Sequence, residues 1–136
     1  MKKSILILLF FITLGAKAQG NLQFNRVVNF SASQSVVSDS PTIFQTFQVP
    51  AGKVWKIENL MISGKSPNGA LNFCENCAAT FNEIIAYMCS YPQIQNATFP
   101  IWLSEGSYNF KISNFSGSTN RLLSASYSAI EFNVVQ

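Results

Sequence analysis

Val49-Pro50-Ala51-Gly52-Lys53-Val54-Trp55-Lys56-Ile57 decides the fold class of this 136-residue chain. Pro50 stands at the second turn position, where its fixed φ is already correct, and Gly52 at the fourth suits a type I turn. The chain is therefore expected to reverse or bend after Val49. Beyond the turn Trp55 and Ile57 are in phase while Lys56 and Glu58 take the opposite phase, which is the period of a half-buried strand. That strand is predicted from Val54 to Ile62, ended by Gly64-Lys65-Ser66-Pro67-Asn68-Gly69. Before the turn, Ile43, Phe47 and Val49 form one side of a strand and Phe44, Thr46 and Gln48 the other.

The same alternation continues outward in both directions. Leu22, Phe24, Val28 and Phe30 share one parity and Gln23, Asn25 and Asn29 the other; Arg26 interrupts the apolar side and marks an edge. Residues 31–41 are small, polar and end in proline, the composition of a loop. In 80–88, Phe81, Ile84, Ile85 and Met88 fall at helical spacing, but the run is short and rich in β-forming side chains, so a strand is predicted. Ala97, Phe99, Ile101 and Leu103 alternate into Ser104-Glu105-Gly106, and Tyr108, Phe110 and Ile112 alternate after it. In the last β region Leu123, Ala125 and Tyr127 are odd-numbered while Ile130, Phe132 and Val134 are even, so a bulge or bend is expected near Ser128-Ala129. Short strands at regular spacing with no long helical pattern predict an all-β fold: an antiparallel β-sandwich, jelly-roll-like or a related Greek key.

The leader has its own signature. Lys2 and Lys3, an apolar run from Ile5 to Leu14 and Ala16-Lys17-Ala18 spell a cleavable export signal. The expected organisation is a signal peptide over 1–18, cleaved near Ala18, and a single β-sandwich domain over 19–136. The apolar run is too short to span a bilayer, so no membrane span is expected once the leader is removed. Secretion, or residence in the periplasm or at the cell surface, follows. Residues 19–136 carry six basic and six acidic side chains. With Arg26, Lys53, Lys56, Lys65, Lys111 and Arg121 spread along the chain, no basic face for nucleic acid is expected. A neutral chain with few charges leaves self-association open.

Val49 to Ile57, Pro100-Ile101-Trp102-Leu103 before Glu105-Gly106, and Ile130-Glu131-Phe132-Asn133-Val134 together resemble a group of small, uncharacterised secreted proteins of Gram-negative bacteria. The resemblance implies export and a β-sandwich. It lends no catalytic residue.

The chain has no histidine, which removes the usual general base, the commonest metal ligand and every Ser-His or Cys-His nucleophile. No catalytic residue, metal site or cofactor is predicted. Three cysteines cannot make a four-ligand zinc site without imidazole. A local disulfide between Cys74 and Cys77 is expected, with Cys89 free and buried, because a hairpin tip at 75–80 would carry Cys89 out of reach. Glycoside hydrolysis needs two facing carboxylates. Glu58, Glu105 and Glu131 are the candidates, with Glu58 and Glu131 on the presumed outer phase of their strands and Glu105 in a turn. Trp55 is expected in the core. Trp102 stands opposite in phase to Phe99, Ile101 and Leu103 and should face outward, where an exposed ring can form a ligand-binding platform, with Tyr91 as companion. The leading expectation is an exported, non-enzymatic binding module for a glycan or an envelope protein. A self-assembling homo-oligomeric subunit is the alternative, and a small carboxylate-dependent glycosidase the third reading.

Overall fold

The computed structural model describes residues 21–65, 71–73, 76–90, 93–96, 99–115 and 120–135. Among them the chain is all β, in ten strands: β1 (Asn21–Val36), β2 (Pro41–Val49), β3 (Lys53–Lys65), β4 (Leu71–Phe73), β5 (Cys77–Phe81), β6 (Ile84–Ser90), β7 (Gln93–Asn96), β8 (Ile101–Leu103), β9 (Gly106–Asn114) and β10 (Arg121–Val135). Two antiparallel sheets result. The first runs β1-β10-β3-β4, with β8 also paired to β3, and the second β2-β9-β5-β6-β7. The leader, Tyr91 and Cys74 lie outside the described residues.

One aromatic core joins the sheets. Tyr127 of β10 stacks on Phe30 of β1 at 5.2 Å and meets the edges of Phe81 and Phe110 from the second sheet at 5.3 and 5.4 Å. Phe47 of β2 lies parallel to Trp55 of β3 at 4.9 Å. Each such pair adds about 0.5–1.5 kcal/mol beyond the area it buries. Burial pushes the Tyr127 hydroxyl up, so it stays protonated and donates to Gln45 Oε1 at 2.7 Å.

Bulges decide which side chains join this core, and here the structure departs from simple alternation. Phe44 is the extra residue where β2 slips against β9, so Phe44 is buried and Ile43 exposed, the reverse of the predicted faces. Asn25 is the extra residue where β1 slips against β10, which turns Phe24 outward. The irregularity expected near Ser128-Ala129 is present, but the residue it inserts is Glu58 of β3. Strand β10 therefore keeps its phase, and Leu123, Ala125, Tyr127, Ala129 and Glu131 are all buried. Glu131 faces inward, a correction to its expected outer position. Strand β1 also continues through 31–36, expected as loop, because Ser31 to Val36 pair residue by residue with β10. As Arg26 suggested, β1 is an edge of its sheet.

The turn after Val49 closes one residue later than read from sequence. Lys53 N–H donates to the Pro50 carbonyl at 3.1 Å, which places Gly52 third, at φ +68°. Residues 80–88 form a hairpin rather than one strand, turning at Asn82-Glu83. Asn82 holds φ +53° there; its Nδ2 donates to the Ser107 carbonyl, and its Oδ1 and N–H bind the backbone of Asn109.

Candidate functional site

The outer face of the first sheet is built from the even-numbered side chains of β10 and their cross-strand partners. One row runs Phe24, Phe132, Val54; the next runs Val27, Ile130, Lys56, Trp102. Trp102 is outward as expected, 47% exposed, between buried Ile101 and Leu103. Its ring lies 5.9 Å from that of Phe132, and Lys56 Nζ sits 5.7 Å from its centroid, within cation–π range. Lys56 is held by Glu58 at 2.7 Å, so the charges beside the ring neutralise each other. Leu22, Phe24, Val27, Met61, Leu122 and Val134 are also exposed on this face. Away from the rings it turns polar: Ser33, Ser124 and Ser63 lie in register across three strands, with Ser33 and Ser124 hydroxyls 2.6 Å apart.

At the aromatic end the two turns enclose an open, shallow cavity of about 590 Å³, lined by Gly52, Lys53, Val54, Ser104, Glu105 and Val134. Glu105 accepts the Gly52 N–H at 2.9 Å, tying the β8–β9 turn to the β2–β3 turn. Val134 N–H donates to the Gly52 carbonyl at 2.9 Å, and Lys53 Nζ donates to Asn133 Oδ1.

Glu131 occupies a second polar cluster, on the inner side of the same strands. Trp55 Nε1 donates to its Oε2 at 2.7 Å, Arg26 Nε to Oε1 at 3.1 Å, and Asn25 Nδ2 to Oε1. The bulge at Asn25 is what lets two consecutive side chains of β1 reach one carboxylate. Desolvation pushes the Glu131 pKa up, but hydrogen bonds from Trp55, Asn25 and Arg26 together with the Arg26 charge outweigh it, and the net shift is downward. This carboxylate is held ionised. It serves as an acceptor at the core's rim rather than as a proton donor.

The three carboxylates considered for glycoside hydrolysis are not brought together as a facing pair. Glu131 points inward, Glu58 pairs with Lys56 on the outer face, and Glu105 braces two turns. Among the described residues, no group of three His, Cys, Asp or Glu side chains could hold a metal ion, and no helix is long and apolar enough to cross a membrane.

Cys77 is disulfide-bonded and Cys89 is free and buried; Cys74, the expected partner of Cys77, lies outside the described residues, as does Tyr91. Cys89 is not carried away down the strand as expected, because the hairpin turns at Asn82-Glu83 and sets Cys89 directly opposite Cys77. Phe24, Lys56 and Phe132 were not anticipated beside Trp102. The only hint was Arg26 interrupting the apolar phase of β1, the point at which Phe24 changes face.

Compared with protein-family models, curated proteins and solved structures, the chain finds no match.

Proposed function

We propose that this chain is an exported, non-enzymatic binding module of the cell envelope or extracellular space, a jelly roll that works through the outer face of its first sheet. The strand order supports the jelly-roll reading: β1-β10-β3-β8 packs over β2-β9-β5-β6, and β1 to β2, β2 to β3, β8 to β9 and β9 to β10 each change sheet. The observation that carries the functional reading is that seven large exposed apolar side chains, Trp102 among them, share the outer face of the first sheet of a molecule whose core is already filled. Such patches mark interaction surfaces. Aliphatic flanks such as Val27 and Met61 add contact area that a protein partner can bury, which favours protein as the ligand class. A glycan is the second reading, favoured by the cavity beside the rings, where Lys53, Ser104 and Glu105 offer an amine, a hydroxyl and a carboxylate. On either reading the module needs no metal or cofactor.

Photo-cross-linking in the producing cell tests this. A benzophenone side chain at position 24 or 102 is expected to give adducts, and one at Gln48, exposed on the second sheet, none. Adducts from neither face, or equally from both, would remove the proposal. A glycan-array signal abolished by Trp102→Ala at unchanged melting temperature would move the ligand to sugar.

A further inference from the structure

We infer that the occupant of the first sheet's outer face is a second copy of this chain, docked with its strands running in the same direction. The inference rests on the reading of that face as the binding surface and names its partner.

The face has the area of a dimer interface. Strands β1, β10 and β3 are 16, 15 and 13 residues long, and β8 and β4 extend the sheet beyond β3. At about 3.3 Å per residue and 4.8 Å between strands, the face covers roughly 700–800 Å². A stable interface buries about 800 Å² per partner, so the whole face, and not merely the surroundings of one ring, is of the right size.

The face also carries little charge. Beside the rings the charges on this face are Lys56 and Glu58, already paired at 2.7 Å. A copy laid on the aromatic end therefore meets charges that are already paired, and no unpaired charge needs to be buried there. Residues 19–136 balance six basic against six acidic side chains, so no long-range repulsion opposes the encounter. A partner of opposite charge would find nothing here to recognise.

The two ends of the face set the orientation. One end of the face is aromatic, with Phe24, Phe132 and Trp102, and the other is a field of hydroxyls, with Ser33, Ser63 and Ser124. A two-fold axis lying in the interface and crossing the strands at right angles would reverse their direction and lay rings on hydroxyls. An axis along the strands sets rings against rings and serines against serines, and a hydroxyl both donates and accepts, so facing serine rows satisfy one another.

Sedimentation equilibrium on residues 19–136, from low to high micromolar concentration, is expected to give the mass of two or more copies. Val27→Lys and Met61→Lys, at positions 55% and 66% exposed, should each weaken association at least tenfold while the circular dichroism spectrum and monomer melting stay as they were. Gln48→Lys on the second sheet should change nothing. Oxidising a mixture of Ser124→Cys and Ile130→Cys copies, both positions lying on β10 between β1 and β3, should link like positions only, and links between 124 and 130 would overturn the shared strand direction. A wild-type chain that remains monomeric throughout overturns the inference. If photo-adducts to a different protein, or a glycan signal dependent on Trp102, then appear, the face still binds and only the partner named here is wrong; with no adduct and no signal, both readings fall.

Discussion

At Glu131 a single side chain shows how a carboxylate can be buried when donors surround it. It is 2% exposed and accepts from three side chains, so neutralising it strands donors that were placed for a charge. The Glu131→Gln variant is expected to lose about 1–3 kcal/mol at neutral pH, a range that already discounts the solvent-exposed guanidinium of Arg26. Because the folded-state pKa lies below the ordinary carboxylate value, the stabilisation is full above that ordinary value and disappears as pH falls through the lower, folded one. Urea midpoints for wild type and variant should therefore differ at pH 7 and converge as acid protonates the wild-type group; a gap that stays constant would refute the linkage. Trp55 and Trp102 were legible from phase alone, since each sits in a short stretch where neighbours fix the face. Glu131 was not, because its face depends on which of three neighbouring strands absorbs an extra residue. That choice is made by pairing between segments far apart in sequence.

At the level of elements, the strands were readable and their edges and irregularities less so. Alternation found the segments of β2, β3, β9 and β10, but it carries no mark for a bulge, so Phe24 and Ile43 were assigned to the wrong face. The hairpin of β5 and β6 was concealed because Phe81, Ile84 and Ile85 flank a two-residue turn and so imitate helical spacing. Asn82 is what makes the turn. It tolerates a left-handed backbone and fastens the hairpin tip to β9 through its side chain. Replacing it by alanine should cost about 2–3 kcal/mol, from backbone strain and two lost hydrogen bonds. Asn82→Gly should cost less, because it relieves the strain and loses only the bonds. Thermal unfolding distinguishes them, and equal losses would show that φ is irrelevant there. Strand β1 is long and open on one flank, yet its bulge at Asn25 and the inward-reaching Arg26 are devices that discourage a stray strand from adding to that edge. Such an edge leaves the sheet's face as the surface for the association proposed above.

For the whole molecule, an all-β chain with two antiparallel sheets was legible, whereas strand order was not, since local periodicity does not say which strands meet. The rings of Phe81, Phe110 and Tyr127 lock the sheets together, so Phe110→Ala, at a side chain with no exposure, is expected to cost about 3–5 kcal/mol. Chemical denaturation measures this, and a loss under 1 kcal/mol would mean the sheets are held elsewhere. The pairing of β1 with β10 spans Asn21 with Val135 through Val36 with Arg121, and β10 also separates β1 from β3. Strand β1, made first, thus has no partner until the last one emerges from the ribosome, and β3 until then has only the short β4 and β8. Pairings so remote in sequence close slowly. For a chain exported as proposed, that delay is useful: the polypeptide stays threadable through a translocation pore for as long as its final strand is missing, and the sheet zips shut only after passage is complete.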